Sequence, residues 1–307
     1  MANPGSLTIP EFPDSREITV ADKPLFDSIF AAAPPEVSAY TFTNIFAWRN
    51  AYSSTVSRLG DYVLVLSDHG DRLACFQPLF VDGTGDDLPS RLPYVADEIL
   101  RRSPRPVHFE RLPTEAALVL EAAGLQIESD RGNWDYLYSA NDLITLAGRN
   151  YSAKRNQLSH AKARIDYEYV RMDADIADHC QEFACRWCLE RNCDTVEGLR
   201  REKCAVYEML TNFDVLGIEG GAIRSNGEIL AFSFGEALNP ETLVVHAEKA
   251  DGSIDGLYQL INQEFCIAHA GDFRYVNREQ DLGIPGLRKA KESYHPVRMI
   301  EVFTARA

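Results

Sequence analysis

Short apolar stretches alternate with longer amphipathic ones along the chain, a pattern that predicts a mixed α/β protein. Residues 1–24 are Pro-rich and polar and predict a leader with little structure of its own, and residues 82–90 predict an acidic turn region. The remaining elements predicted before residue 140 are a helical segment at 25–59, a hairpin of strands at 62–66 and 73–76, a helix at 94–102, a strand at 107–109, a helix at 115–123 and a strand at 134–138.

The second half repeats this order at greater length. Asn226-Gly227 between two apolar runs is a strong hairpin signal. The predicted elements are helices at 149–164, 174–191, 196–212 and 256–269, and strands at 167–171, 215–223, 229–236, 242–248, 273–276 and 297–303. We therefore predict an α+β protein with mixed sheets, built as two similar modules at 1–139 and 140–307, the second carrying the functional site.

Composition argues against a general nucleic-acid-binding protein and against a membrane-spanning protein. The chain has 307 residues, 45% of them hydrophobic, and a net charge of −15, which repels nucleic acid and anionic membranes except at a local basic patch. No signal peptide pattern and no apolar run of about 20 residues is present. Seven cysteines, an odd number, predict free thiols in a reducing cytoplasm. The sequence does not indicate an oligomeric state.

Four of the cysteines, at 180, 185, 188 and 193, have a spacing that resembles a metal site. The segment is continuously helical in pattern, and its first and last cysteines would lie roughly 20 Å apart along the axis. One helix cannot gather four such ligands, so we predict unpaired thiols and no bound metal. Hydrolase nucleophile motifs, P-loops and zincin motifs are absent from the sequence.

Three segments carry candidate chemistry, and each has a plain structural alternative. Residues 275–296 combine a strand end, a polar run, a Gly-Ile-Pro-Gly turn and a group of cations, which fits either a functional loop or a surface turn. Residues 149–164 contain no acidic residue and fit either a phosphate-binding helix or a solvated helix face. His246 and Glu248 alternate with Val244 on one predicted strand face, where Glu248 would be a general base, an amine binder or an ordinary outward charge.

The turn at 249–256 precedes a helix, a position at which backbone amides can bind a pyrophosphate. Asp251 and Asp255 intrude there, and carboxylates disfavour an anion. We therefore expect no ordinary coenzyme A or nucleotide site at this turn.

Several of these segments, at 141–148, 154–158, 277–283 and 286–296 together with 40–49, resemble the DUF2156 family. This is the family of the phosphatidylglycerol lysyltransferase C-terminal domain, and the resemblance spans about residues 38–304. It implies two tandem modules of the GCN5-related N-acetyltransferase (GNAT) fold. It also implies kinship with enzymes that move an aminoacyl group from tRNA to a lipid or peptidoglycan-type acceptor.

We therefore expect an acyl- or aminoacyltransferase with no tightly bound cofactor. Aminoacyl-tRNA, held through a local basic patch, or acyl-coenzyme A would be the donor, and a small-molecule or lipid-like amine or hydroxyl the acceptor. A ligand-binding or sensor protein that keeps the fold without catalysis is the alternative.

The resemblance also implies a cleft between a fourth strand at 242–248 and a fifth at 273–277. The expected catalytic residues are Glu248 as base or amine binder, His246, and Tyr294 as the proton donor to the leaving group. Arg278, Lys289 and Lys291 would hold phosphates or the oxyanion, and Glu279 and Asp281 would orient a cationic group. The expected substrate-binding residues are Lys154, Arg155, Asn156, Asn277, Arg278, Glu279, Asp281, Arg288, Lys289, Lys291 and His295.

Overall fold

The computed structural model describes residues 8–81 and 88–307, which form two compact units. The first unit runs to Trp134 and also contains Ile300–Ala307, and the second is Asp135–Met299. These units differ from the modules predicted at 1–139 and 140–307 because the segment at 135–139 pairs in the second sheet, whereas the last strand of the chain pairs in the first.

The strands, in chain order, are β1 (Arg16–Glu17), β2 (Ser54–Leu59), β3 (Tyr62–Asp68), β4 (Leu73–Cys75), β5 (Leu79–Phe80), β6 (Val107–Pro113), β7 (Gln126–Ser129), β8 (Asp135–Ser139), β9 (Glu168–Arg171), β10 (Glu219–Ser225), β11 (Glu228–Asn239), β12 (Thr242–Ala250), β13 (Tyr275–Asn277), β14 (Arg298–Ile300) and β15 (Val302–Arg306). The helices are α1 (Lys23–Ala32), α2 (Phe42–Ala47), α3 (Arg49–Tyr52), α4 (Leu88–Arg102), α5 (Thr114–Ala122), α6 (Ala140–Thr145), α7 (Ser152–Arg164), α8 (Ala174–Glu190), α9 (Glu197–Thr211), α10 (Phe213–Leu216), α11 (Leu257–His269) and α12 (Pro285–Glu292).

The first sheet has the strand order β1-β2-β3-β4-β6-β15-β7, with β5 also paired to β3. The predicted hairpin is confirmed, since Leu66 lies opposite Cys75 in the antiparallel β3–β4 pair. Helices α4 and α5 cover the sheet with apolar residues that include Leu92, Ile99 and Leu120. This contact removes apolar surface of the sheet and of both helices from water, which is the main driving force for folding of this unit.

Two predictions for the first unit were wrong. The described part of the leader is packed, because Phe12 and Ile18 are buried and β1 pairs with β2. The segment at 25–59 is not helical throughout, since its end forms strand β2. Of the turn region predicted at 82–90, residues 82–87 lie outside the described residues, and Leu88 begins α4.

The second sheet has the strand order β14-β8-β13-β12-β11-β10-β9. The hairpin predicted at Asn226-Gly227 is confirmed, with both residues at positive φ, 50° and 82°, as a tight turn of this type requires. The strand predicted from residue 215 begins later, because 213–216 form α10. The single strand predicted at 297–303 is two strands, β14 and β15, which belong to different sheets.

The parallel pair β12–β13 gives this sheet an opening on one side of β12. Thr242 lies opposite Tyr275 and Val244 opposite Asn277, after which β13 ends. Strand β12 continues to Ala250 while paired only to β11 on its other side. The predicted fourth and fifth strands are therefore adjacent and parallel, and their carboxyl ends separate at Asn277.

A β-bulge in β12 decides which way its polar side chains point. Phe234 lies opposite Ala247 but Gly235 lies opposite Val245, so His246 is the extra residue. The added residue reverses the alternation, and Glu248, opposite Ser233, faces α11 together with Val245. His246 faces the other side with Glu236, its hydrogen-bond partner. The prediction that His246 and Glu248 share one face was wrong for this reason.

The core of the second unit lies between the sheet and helices α6, α7 and α11. It includes Leu143, Leu158, Leu257, Phe265 and Val276. Helix α8 packs on the other face, where Phe183 meets the ring of Phe232 edge-on at 6.0 Å. Over the stretches 8–81 and 88–307, no helix is long and apolar enough to cross a membrane.

Candidate active site

An ion pair between Arg278 and Glu248 lies at the opening between β12 and β13. Arg278 is the first residue after β13, and its Nη2 donates to Glu248 Oε1 at 3.1 Å. The other oxygen of Glu248 accepts from Asn262 Nδ2 of α11, also at 3.1 Å. Burial disfavours the charged guanidinium, but the adjacent Glu248 outweighs it and raises the pKa of Arg278, which therefore stays protonated.

Two donors at this centre are buried without an acceptor. Arg278 Nη1 and Ser233 Oγ have no hydrogen-bond partner among the residues that the structure describes. Ser233 lies directly opposite Glu248 on β11, so both groups are on the side of the sheet that faces α11. An unsatisfied buried polar atom costs about 1–3 kcal/mol, which makes a site where several occur a candidate for ligand binding.

A second cation lies beside Arg278. The ring of Tyr294 has Lys154 Nζ 4.1 Å from its centroid and the Arg278 guanidinium carbon 4.8 Å from it. Burial, and then the charge of Arg278, lower the pKa of Lys154 to about 8 against the opposing effect of Glu248. The side chains of Arg278, Lys154 and Glu248 therefore leave a net positive charge at neutral pH in a poorly hydrated place.

Tyr294 is the neutral member of this centre. It is buried, and this burial raises its pKa although the charge of Arg278 opposes the effect. Its backbone carbonyl accepts a hydrogen bond from Tyr151 Oη at 2.9 Å, which fixes the turn that follows α12. The phenol is therefore protonated at neutral pH, and the backbone that carries it is fixed.

Lys291 binds the backbone of the loop after β13. Its Nζ donates to the carbonyls of Arg278 and Glu279, and burial lowers its pKa to about 8. Tyr138 Oη in turn donates to the Lys291 carbonyl at 2.9 Å. These contacts fix the backbone on which the Arg278 side chain is mounted.

His246 is enclosed on the opposite face of β12. Its Nε2 lies 2.9 Å from Glu236 Oε1 and its Nδ1 lies 2.9 Å from Glu279 Oε1, and its side chain has no exposed surface. Burial lowers the pKa of His246, but the two carboxylates outweigh this and raise it to about 9. At neutral pH the ring is an imidazolium with both nitrogens occupied, so it ties β11 and β12 to the loop after β13.

The loop from residue 277 to 284 is fixed by buried carboxylates. Asn277 Nδ2 donates to Asp135 Oδ2 at 3.0 Å, and Gln280 Nε2 donates to Asp135 Oδ1 at 2.5 Å. Asn277 and Asp135 are both fully buried, so this network belongs to the scaffold of the site. Glu279 adopts a positive φ of 54°, a conformation that costs energy and that the surrounding bonds maintain.

Asp281 joins the same loop to the helix that follows it. It accepts from Tyr136 Oη at 2.7 Å and from Arg288 Nε and Nη2 at 2.8 and 3.0 Å. Burial opposes ionisation of Asp281, but these hydrogen bonds outweigh it and hold its pKa well below its usual range. Asp281 and Arg288, both predicted to bind substrate, are therefore engaged with each other.

The remaining predicted residues fall into two groups. Arg155 donates to the carbonyls of Leu146 and Gly148 at the end of α6, and Lys289 is exposed on α12. Asn156 and His295, by contrast, line an open groove that also contains Lys154. This groove has a volume of about 560 Å³, and its lining includes Asn150, Lys154, Asn156, Gln157, Ser293 and His295.

Sequence reasoning missed Ser233, Asn262 and Tyr138. Asn262 stands among the apolar residues of α11, and this lone amide on an apolar helix face was a usable signal. Ser233 lies between two phenylalanines on β11, and nothing in the sequence marks it. Only the pairing of β11 with β12 across the bulge brings Ser233 opposite Glu248.

The described part of the chain contains no evident metal-binding centre. Within 8–81 and 88–307, no group of three His, Cys, Asp or Glu side chains could hold a metal ion. All seven cysteines lie in this range and are unpaired, with Cys180, Cys188 and Cys193 buried and Cys185 exposed.

Residues 30–306 match the family model described as phosphatidylglycerol lysyltransferase, C-terminal. The chain belongs to this family. It is 34% identical to a conserved protein of unknown function from Bacteroides thetaiotaomicron, with a TM-score of 0.85 and coverage of 95% of this chain and 98% of that one. No curated protein matches the chain.

More distant structures share the fold. The C-terminal DUF2156 domain of a predicted lysylphosphatidylglycerol synthetase from Agrobacterium fabrum is 16% identical, with a TM-score of 0.64 and coverage of 94% of this chain and 92% of that one. The L-PGS structure from Bacillus licheniformis is 14% identical, with a TM-score of 0.62 and coverage of 98% and 94%. The predicted family and the predicted mixed α/β fold with two mixed sheets are confirmed, and the chain is an enzyme of the acyl- and aminoacyltransferase class.

Proposed function

We propose that the second unit transfers an acyl or aminoacyl group from an activated ester to an amine or hydroxyl. The observation that carries this proposal is the buried Nη1 of Arg278, a fixed cationic donor with no partner in the described chain at the opening between β12 and β13. Family membership supports the reaction class. The net positive charge left by Arg278, Lys154 and Glu248 supports a reaction in which negative charge develops.

In the proposed reaction, the acceptor nitrogen or oxygen attacks the ester carbonyl carbon. The carbonyl oxygen then gains negative charge, which Arg278 Nη1 and the Lys154 ammonium stabilise. Glu248 takes the proton from the acceptor or holds its ammonium group before attack. The bond between the carbonyl carbon and the donor oxygen then breaks, while the new bond between that carbon and the acceptor atom stays. The phenol of Tyr294 gives its proton to the leaving oxygen.

The turn before α11 supports a donor other than coenzyme A. Asp251 Oδ1 accepts from the amide of Ser253 at 2.8 Å, so a carboxylate already engages one of the amides that a pyrophosphate would need. A Cβ added at Gly256 would meet the carbonyl oxygen of Gln157 at 1.9 Å, so the helix start is closely packed. Aminoacyl-tRNA is therefore the donor we favour, with a small-molecule or lipid-like acceptor. The seven unpaired thiols support action in the cytoplasm.

Loss of the donor ester tests the proposal directly. The protein is incubated with aminoacyl-tRNA or with acyl-coenzyme A, each with a panel of amine and hydroxyl acceptors, and the remaining ester is counted. We expect acceptor-dependent loss from aminoacyl-tRNA and much slower loss from acyl-coenzyme A. Saturable binding of either donor with no acceptor-dependent ester loss would instead indicate the ligand-binding alternative.

The ionic strength of the same assay adds a second readout. If the donor is held through phosphates, log Kd should rise steeply with log salt concentration, since each phosphate contact releases counterions. A flat dependence would contradict phosphate contacts while leaving the chemistry of the acyl group untouched.

A further inference from the structure

The groove beside Lys154 is lined by hydrogen-bond donors and lacks carboxylates. Its polar lining consists of three side-chain amides, a hydroxyl, an imidazole and the Lys154 ammonium. Helix α7, which forms one wall, contains no acidic residue, although the whole chain has a net charge of −15. A cavity of this composition in an acidic protein favours an anionic ligand over a cationic one.

The start of α7 adds backbone donors to the same place. The helix has thirteen residues, and Tyr151 at its N-cap makes no side-chain cap hydrogen bond, because its long side chain has no acceptor near the first-turn amides. The first-turn amides, which include those of Ala153 and Lys154, have no partner within a helix. They carry the partial positive charge of the helix dipole, which favours a phosphate at this end.

Lys154 is an independent sign that the groove is a ligand site. It is only 8% exposed and lines the groove, and its ammonium makes neither a hydrogen bond nor an ion pair with any residue in the described ranges. Its contact is with the face of the Tyr294 ring. A buried ammonium without an anionic partner is costly, and an anion in the groove would supply that partner.

From this arrangement we infer that the groove binds a phosphoryl group carried by the acyl donor, held by Lys154, the first-turn amides of α7 and the side chain of Asn156. The inference rests on the proposed function, because Lys154 belongs to both the groove and the reacting centre. Lys154 connects the groove to the reacting centre, since its Nζ lies 4.1 Å from the centroid of the Tyr294 ring. Phosphate esters of nucleotides and of lipid headgroups share this chemistry.

Equilibrium binding tests the inference without any acyl transfer. Inorganic pyrophosphate is titrated into the full chain by calorimetry at constant ionic strength with sodium chloride. We expect saturable binding by wild type and at least about tenfold weaker binding by Asn156→Asp, an isosteric change that puts a carboxylate in the groove at an exposed position. Asn226→Asp, the same change in the β10–β11 turn, should stay within about twofold of wild type.

Lys154→Met provides a second variant that keeps the length of the side chain and removes its charge. It should also lose at least about tenfold in pyrophosphate affinity, since one charge-assisted contact contributes roughly that factor. Two further titrations, with adenosine 5′-monophosphate and glycerol 3-phosphate, distinguish a nucleotide source from a lipid headgroup source. Preference for either supports the phosphoryl site.

No saturable pyrophosphate binding, or equal affinity in wild type, Asn156→Asp and Lys154→Met, would overturn the inference. These outcomes are separable from failure of the proposed function. If pyrophosphate binding depended on Asn156 but no ester were transferred, the phosphoryl site would be supported and the proposed transfer reaction would be refuted. If transfer depended on Arg278 but pyrophosphate did not bind, the transfer reaction would be supported and the phosphoryl site would be refuted.

Discussion

Replacing Arg278 with lysine removes the unpaired Nη1 while it keeps a positive charge near Glu248. The guanidinium has two roles that one ammonium cannot fill together. Nη2 donates to Glu248 Oε1 at 3.1 Å, and Nη1 remains free for a substrate oxygen. A lysine ammonium is a compact charge without the planar fork of arginine, so it would pair with Glu248 and leave the oxyanion position empty.

The size of the expected effect follows from the loss of a single hydrogen-bond donor. Loss of one donor to a developing oxyanion costs about 10²–10³-fold in turnover, or roughly 3–4 kcal/mol of transition-state stabilisation. The ion pair with Glu248 survives in altered geometry, so we expect the unfolding free energy to fall by only about 1–3 kcal/mol, the contribution of a hydrogen bond to a charged group. The protein should therefore stay folded while kcat falls and KM changes little.

Single-turnover ester loss measures the chemical step, and thermal unfolding measures the stability. Arg274→Lys is the matched control, because Arg274 is exposed and pairs with exposed Glu241 at 3.7 Å. We expect both the rate and the melting temperature of this control to stay near wild type. If Arg278→Lys turned over within about threefold of wild type, the oxyanion role of Nη1 would be refuted.

Three further predictions concern single residues. The raised pKa of His246 stabilises the fold fully below about pH 6.5 and progressively less as pH rises to about 9, so wild type should lose about 3 kcal/mol of unfolding free energy over this range relative to His246→Gln, measured by urea denaturation. Gly235→Ala should lower the unfolding free energy by about 1–3 kcal/mol or more, because its Cβ would meet the Val244 carbonyl oxygen at 1.9 Å. Gly271→Ala, with no atom within 4 Å of the added Cβ, should be close to neutral, and equal denaturation midpoints for the two variants would refute the bulge argument. Transfer that needs the Lys154 ammonium should decline as pH rises through about 8, and Lys154→Arg should move that decline to higher pH; an unchanged pH–rate profile would contradict the role.

Much of the second unit could be predicted from local signals. Asn226-Gly227 predicts its hairpin because both residues tolerate positive φ. The parallel neighbours β12 and β13 agree with the strands expected from the family resemblance. The hairpin depends on a short stretch of sequence, and the β12–β13 pairing is implied by the resemblance, so both could be predicted from one sequence.

Features that depend on the bulge could not be predicted from periodicity. The sequence alternates regularly from Val244 to Glu248, so it places His246 and Glu248 on one strand face. The bulge opposite Gly235 changes that assignment, and only the pairing of β11 and β12 reveals it. The same long-range pairing brings Ser233 to the centre.

The distinction between scaffold and site residues also depends on tertiary contacts. Arg278, Asp281 and Arg288 look alike in sequence as charges in one loop. In the structure, Asp281 and Arg288 pair with each other, whereas Arg278 keeps a nitrogen unpaired in the part of the chain that is described. The sequence pattern also predicts a division of the chain near residue 139. In the structure, β8 precedes that point but pairs in the second sheet, and β15 follows it but pairs in the first.

The position of the donor carbonyl oxygen tests the central claim most directly. A crystal structure of the protein with a 3′-aminoacyl adenosine analogue, its ester replaced by a stable amide, would locate that oxygen. Our account predicts that it lies about 2.7–3.1 Å from Arg278 Nη1, on the side of β12 that carries Glu248. An analogue bound elsewhere in the second unit, with Arg278 Nη1 still unpaired, would contradict it.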